Sequence, residues 1–219
     1  MNKRFLMVYS MGKDSTLALQ KMIGLGYEPV VLVVACRKGT DQTLMHRISV
    51  NKVQRFADSL NIPIELVYLQ QNDDWASAMR NGIKLREKYD VDYLVTGDID
   101  VQEHIDRTKR FSELTGLTLF MPLSGMTHEE CLKEELENGY KCIISTLCNM
   151  KLPISLLGRE LTYETVDIIK NCGCDVCGED NSYHTLVVDS PMHRFPIQYR
   201  LEDVEIVEGL AARQKFDFD

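Results

Sequence analysis

The feature that most constrains this chain is its first polar loop, Tyr9-Ser10-Met11-Gly12-Lys13-Asp14-Ser15. The apolar run before it, Phe5-Leu6-Met7-Val8-Tyr9, is too short for a helix and predicts a buried strand. Apolar residues follow at Ala18, Leu19, Met22, Ile23 and Leu25, which is the spacing of one helical face. The loop therefore delivers a strand to a helix N-terminus, where backbone N–H groups lack intrahelical partners and the helix dipole is positive. Such an end suits an anion. Gly12 lets the backbone approach a ligand closely, Lys13 adds a full positive charge, and Ser10 and Ser15 add hydroxyl donors. Together these pieces predict a phosphate cradle. The bland alternative is a solvated turn with a capping Ser or Asp.

The loop is not a Walker A motif, which requires G-x-x-x-x-G-K-[ST]. Met7 stands where the first glycine of that motif belongs, and Asp14 follows the lysine. It resembles instead S-G-G-K-D-S, the PP-loop of the ATP pyrophosphatases, relatives of the HUP-type nucleotide-binding folds. Those enzymes cleave ATP between its α and β phosphates. The resemblance implies a nucleotide site at Ser10, Met11, Gly12, Lys13, Asp14 and Ser15. Met11 replaces the first of the two glycines. Asp14 has three readings: orienting the loop, helping to hold a metal, or capping the helix.

The length of 219 residues allows one large domain or a domain and a half, with a sizeable core. A net charge of −8 argues against a general nucleic-acid or membrane-surface binder. No apolar run reaches membrane-spanning length. The basic start, Met1-Asn2-Lys3-Arg4, precedes an apolar run, but Ser10 to Ser15 cut that run off and no cleavage-like pattern follows. A cytoplasmic protein is expected. Its seven cysteines read as free thiols or ligands rather than a disulfide framework.

Along the chain, short β-branched runs alternate with helical spacing. Strands are expected at Val30–Cys36, Ile64–Leu69, Tyr93–Thr96 and Thr118–Met121, with helices near Val50–Leu60 and Trp75–Tyr89, the latter capped by Asp74. Gln102–Leu114 is helix-compatible. This order predicts an α/β fold with a parallel sheet covered on both sides. Its ligands should bind at the carboxyl ends of the strands. The polar segments Ser10–Ser15, Arg37–His46, Gln70–Asp74 and Gly97–Asp100 all follow strands and should share one rim. Pro122 marks a change of subdomain, giving a nucleotide-binding domain at 1–121 and a smaller α+β subdomain at 122–219. Thr127-His128-Glu129-Glu130 has capping-box spacing and opens a helix that Gly139 ends. A strand is expected at Cys142–Leu147 and a helix at Tyr163–Asn171. Further strands are expected at Leu186–Val188 and Val204–Val207. The polar residues from Ala211 onward are expected to fray.

Four segments, in order, resemble the diphthine–ammonia ligase family, a branch of the PP-loop ATPases. They are the loop itself; Gly97-Asp98-Ile99 with Glu103-His104; Leu157-Gly158-Arg159-Glu160-Leu161; and Cys177-Gly178-Glu179, Tyr183-His184-Thr185 and Val187-Val188-Asp189-Ser190-Pro191. The last is similar to C-G-E-N-G-E-[FY]-H-T-F-V-x-D-G-P. The resemblance runs to about residue 200. It implies ATP and Mg2+ as cofactors and amide formation as the reaction. A carboxylate is adenylated as pyrophosphate leaves, then ammonia displaces AMP. The implied acceptor is diphthine on translation elongation factor two, or a small-molecule acid. Catalytic roles are implied for Lys13, Asp14, Glu179 and His184. Gly97 and Asp98 join the nucleotide site, Asp98 holding metal or ribose unless it is a helix cap. His46, Glu179, His184, Thr185 and Asp189 form the implied acceptor site.

Asp180-Asn181-Ser182 stands where the family carries Asn-Gly-Glu, Leu186 replaces an aromatic residue and Ser190 a glycine. Cys172-Gly173-Cys174-Asp175-Val176-Cys177 has soft-metal ligand types, but a closed zinc site usually shows two paired motifs and only one cluster is present. No metal ligands are assigned; a soft-metal site with Cys148 or His184 as fourth ligand, redox-active thiols and packing thiols all remain readings of that cluster. Two rival functions stay open. One is a PP-loop enzyme acting on another small acceptor or on tRNA, against which the acidic balance speaks. The other is a non-catalytic nucleotide sensor. A homodimer is an open expectation.

Overall fold

The computed structural model describes residues 3–69, 75–206 and 212–218, and the side chains of 75–79 are outside that description. The expected cap Asp74, the rim segment Gln70–Asp74 and Val207 of an expected strand therefore lie outside the described residues. The chain divides into two units, one of Met1–Ser10 and Asp14–Gly125, the other of Met11–Lys13 and Met126–Asp219.

The first unit is the expected α/β alternation. Strand β1 (Arg4–Val8) leads through the loop into α1 (Lys13–Gly24), then come β2 (Glu28–Arg37), α2 (Val50–Leu60), β3 (Ile64–Leu69), α3 (Trp75–Tyr89), β4 (Tyr93–Val95), α4 (Gln102–Thr115) and β5 (Thr118–Phe120). All pairings in this sheet are parallel, in the order β3-β2-β1-β4-β5. Parallel strands need crossovers, and the helices supply them. Phe5, Leu6 and Met7 of β1 are all buried, so both faces of the central strand are covered. On one face Leu6, Val31 and Leu94 of the strands pack with Leu85 of α3, Val91 and Leu117. Helix α2 buries Val53, Phe56, Ala57 and Leu60 as one stripe and ends at Asn61 in the left-handed region.

The strand order has one consequence for function. The chain moves from β1 outward to β2 and β3, then returns to the other side of β1 for β4. The order reverses between β1 and β4, and a crevice at the carboxyl ends of those two strands is where open α/β sheets bind ligands.

The second unit contains α5 (His128–Glu137), β6 (Lys141–Leu147), a 3-10 turn (Ile154–Leu156), α6 (Tyr163–Asn171), β7 (Tyr183–Asp189), β8 (Tyr199–Glu205) and β9 (Ala212–Phe218). Its sheet is antiparallel, in the order β7-β6-β9-β8. The capping box at α5 forms as its sequence predicts. Thr127 Oγ1 accepts from the Glu130 N–H at 3.2 Å, and the Glu130 carboxylate accepts from the Thr127 N–H at 2.7 Å.

The tail corrects one expectation. Of the residues expected to fray, Ala212–Phe218 form β9, paired with β8 along its length and with β6 at Thr146↔Arg213 and Leu147↔Ala212, while Ala211 and Asp219 lie outside the described residues. Ala212, Arg213, Gln214 and Phe218 are buried. Two flanking strands satisfy the backbone of β9, and the buried Arg213 guanidinium finds the Glu205 carboxylate of β8. The polar composition that reads as a frayed end is a strand with its charges paired. Its neighbour β8 begins at Tyr199, earlier than its apolar run suggests, because most of its side chains face solvent.

Candidate functional site

In the first unit, the loop's flanks and the end of β4 meet at the switch point. The Ser10 and Ser15 hydroxyls lie 3.1 Å apart, and the Tyr9 hydroxyl lies 3.3 Å from that of Thr16. These two pairs brace the strand end against the first turn of α1. Gly97, just beyond β4, approaches the same turn. A Cβ on Gly97 would stand 2.8 Å from the Ser15 nitrogen and 2.9 Å from the Asp14 carbonyl carbon and oxygen. Only glycine permits that approach of backbone to backbone. Asp14 and Ser15 therefore share one place with Gly97, as the rim reading expects.

Asp98 is not a helix cap. Its Oδ2 accepts from the Thr96 hydroxyl at 2.8 Å and the Thr108 hydroxyl at 3.1 Å, and Oδ1 lies 3.9 Å from His104 Nδ1. The N-cap of α4 is Val101. Asp98 thus ties the end of β4 to the body of α4. His46 occupies a turn that folds back on the carboxyl end of β2. The Thr43 N–H donates to the Ile48 carbonyl at 2.9 Å and the Leu44 N–H to the Ala35 carbonyl at 2.8 Å, and His46 is buried. It follows the strand next to β1.

The loop's centre belongs to the second unit. Met11 has φ 70° and is fully buried. That left-handed backbone is the conformation a glycine would adopt without strain, and methionine adopts it here at a cost. The Val187 N–H of β7 donates to the Met11 carbonyl at 2.9 Å, which fixes the turn. Lys13, the first residue of α1, is 2 % exposed. Its Nζ lies 3.9 Å from Oε1 of Glu135, a fully buried carboxylate on α5.

The other expected acceptor residues cluster by chain order rather than by contact. His184 and Thr185 are adjacent on β7 and so project to opposite faces of the sheet. Thr185 is buried and opposes Ile144; His184 opposes Thr146, and its carbonyl accepts from the Ser145 hydroxyl at 3.1 Å. Asp189 ends β7 with an ion pair to Lys141 at 3.5 Å. Glu179 lies in the turn before β7, and its N–H donates to Asp175 Oδ2 at 2.9 Å. Ser190, which replaces a family glycine, closes the next turn. Its hydroxyl accepts from the Met192 N–H at 3.2 Å and pairs with His193 Nδ1 at 2.7 Å.

Asp175 organises the cysteine-rich turn, a role absent from the sequence reading. Its Oδ2 also accepts the Cys177 N–H at 3.0 Å, and its Oδ1 lies 2.6 Å from His128 Nδ1 at the start of α5. Burial pushes the Asp175 carboxyl up. The His128 ring and the N–H groups of Glu179 and Cys177 outweigh that and hold it below the ordinary carboxylate value. All seven cysteines are free thiols. Among the described residues, no group of three or more His, Cys, Asp or Glu is placed to hold a metal ion. Cys177 instead donates to the His128 carbonyl at 3.0 Å.

Glu135 was also missed by the sequence reading. Its signal is a carboxylate on the buried face of α5, one turn beyond Cys131 and Leu132, where an apolar residue is the norm.

A parallel sheet with a strand–loop–helix and a glycine-tight neighbour at its switch point defines an α/β protein of the HUP and PP-loop class. Residues 3–119 match the family model of the diphthamide synthase N-terminal domain, and residues 128–212 match that of the diphthamide synthase C-terminal domain. The chain belongs to the diphthamide synthase family, in agreement with its four sequence segments. That membership points to an ATP-utilising enzyme of PP-loop type. No curated protein sequence matches the chain. Among solved structures it is similar to a predicted subunit of tRNA methyltransferase from Methanocaldococcus jannaschii DSM. The identity is 14 % over 89 % of this chain and 99 % of that one, with a TM-score of 0.45. So distant a likeness says nothing about activity. No described helix is long and apolar enough to cross a membrane.

Proposed function

We propose that this protein is an ATP-dependent, AMP-forming amide ligase that adenylates a carboxylate and transfers ammonia to it. The observation that carries the reading is the loop at the switch point, with Gly97 against the Asp14 and Ser15 backbone, in a chain whose two parts match the two diphthamide synthase domains. The residues present fit ATP. Gly97 lets the end of β4 close on the first turn of α1, the paired Ser10 and Ser15 hydroxyls are donors, and a lysine stands at the helix N-terminus. They also fit Mg2+, which keeps several waters and binds through one or two carboxylates plus substrate phosphates. Asp14 and Asp98 are the carboxylates for that role, and the ion would offset charge on the phosphates.

An acceptor carboxylate oxygen attacks the α-phosphorus, and the bond to the bridging oxygen of the β-phosphate breaks. Pyrophosphate leaves carrying the charge. Loop N–H groups around Gly12 and the Lys13 ammonium stabilise it, and such fixed donors are most effective where charge develops. Ammonia then attacks the acyl carbon, the bond to AMP breaks, and the nitrogen sheds a proton as the amide forms. Glu179, His184, Thr185, Asp189 and His46 are the residues we assign to the acceptor. The opposite facing of His184 and Thr185 favours one of the two, not both, as the acyl contact. Diphthine on translation elongation factor two, or a small acid, is the acceptor, and the cytoplasm the setting.

The test is pyrophosphate release and AMP formation with Mg2+, ATP, ammonium and candidate acids. Lys13→Ala should lower turnover by a factor of about 100 or more. Unchanged turnover in that variant removes the site assignment. ATP binding without AMP formation, whatever the acceptor, makes the protein a nucleotide sensor instead.

A further inference from the structure

Glu135 takes no part in the reaction written above, yet it is fully buried, with Oε1 3.9 Å from the buried Lys13 ammonium. Removing one member of a buried ion pair is costly because the other charge is left uncompensated. Helix α5 is fixed by its capping box at Thr127 and Glu130, and its face buries Cys131 and Leu132 along with Glu135. The carboxylate is therefore held on a rigid element, and the loop it faces is held by the Val187 N–H on the Met11 carbonyl.

We propose that Glu135 is a positioning residue for nucleotide binding: its carboxylate fixes the Lys13 ammonium at the loop. The proposal deepens the assignment of Lys13 to the phosphates and rests on it. Glu135 touches no substrate; it acts through the lysine. It also explains why a carboxylate occupies an apolar stripe, where a leucine or methionine would pack without desolvation.

The test is a double-mutant cycle read by calorimetric titration with magnesium-ATP, which needs no acceptor. Glu135→Gln keeps the side-chain shape and removes the charge, so it should weaken ATP binding on the order of 10-fold. The same change in a Lys13→Ala background should alter affinity by less than about twofold, since no ammonium is left to hold. A purely structural Glu135 would cost the same in both backgrounds.

Equal losses in the natural and Lys13→Ala backgrounds, or no loss in Glu135→Gln alone, overturn the proposal and leave the function reading intact. If Lys13→Ala itself binds ATP as well as the natural chain, both fall together. Should Glu135→Gln fold poorly, Glu135→Asp carries the same cycle. Its shortened carboxylate should weaken ATP binding only when residue 13 is lysine, and loss in the alanine background overturns the idea.

Discussion

Replacing Met11 separates two costs that ordinarily travel together. Met11 is fully buried at φ 70°. Truncating a buried methionine costs about 2–5 kcal/mol in lost transfer energy and cavity. Holding a residue with a Cβ in the left-handed region costs about 1–2 kcal/mol, which glycine avoids. Met11→Ala loses the packing and keeps the strain. Met11→Gly loses the same packing and sheds the strain, at the expense of about 0.5–1 kcal/mol of extra unfolded-chain entropy. Burial exceeds strain, so both variants fall below the natural chain. Met11→Gly should nevertheless be the more stable of the two by about 1 kcal/mol, whereas in regular helix or strand glycine is the less stable. For a chain of this size that difference is about 2–4 °C in melting temperature. Thermal melts by circular dichroism at matched protein concentration measure it. Because the Val187 contact is to the Met11 backbone, both variants keep it. Met11→Ala melting at or above Met11→Gly would refute the reasoning.

Gly97→Ala should be far more damaging than its size suggests, since its Cβ would meet backbone at 2.8–2.9 Å. An overpacking cost of about 1–3 kcal/mol and loss of ATP binding are expected, read by melting and titration. His193 should make stability pH-dependent. Burial drives its pKa down from 6.5 to about 4, with Asp189 opposing in part. The unfolded chain then binds the extra proton between those values, so stability is full above about pH 6.5 and falls as pH drops toward 4, by about 2–3 kcal/mol. His193→Gln should flatten that part of the melting-temperature profile, and an unchanged slope would refute the assignment. Asp175→Asn should lower stability by about 1–3 kcal/mol at neutral pH, because an amide cannot replace a carboxylate facing a histidine and two N–H donors. The depressed Asp175 pKa means this contribution is present above the ordinary carboxylate range and lost as pH falls through the lower native value. A denaturation series of the variant at pH 7 and pH 3 checks both statements.

Much of the site was legible because it is local. Tyr9 to Ser15 reads as strand, loop and helix start from residues a few positions apart, and Gly97 and Asp98 follow β4, the strand beside β1, to the rim. What the residues did locally they also do in the fold. Asp98 shows the limit: a carboxylate near a helix start reads equally well as a cap, and the choice fell to Thr96 and Thr108, which only the folded chain brings to it. The spacing of Cys172, Cys174 and Cys177 leaves metal, redox and packing readings open, and in the fold the Cys177 thiol meets the His128 carbonyl.

By itself the sequence determined the alternation of strand and helix, the strand–loop–helix at Tyr9–Ser15, the capped start of α5 and the family. Each rests on periodicity, turn chemistry or contiguous motifs, and those act over a few residues. Tertiary structure alone decided that Lys13 meets Glu135, that Asp175 gathers His128 and the cysteine-rich turn, and that the polar tail becomes a paired strand. Each of these joins segments far apart in the chain. Charge pairing and backbone hydrogen bonding between such segments leave no periodic trace in either of them.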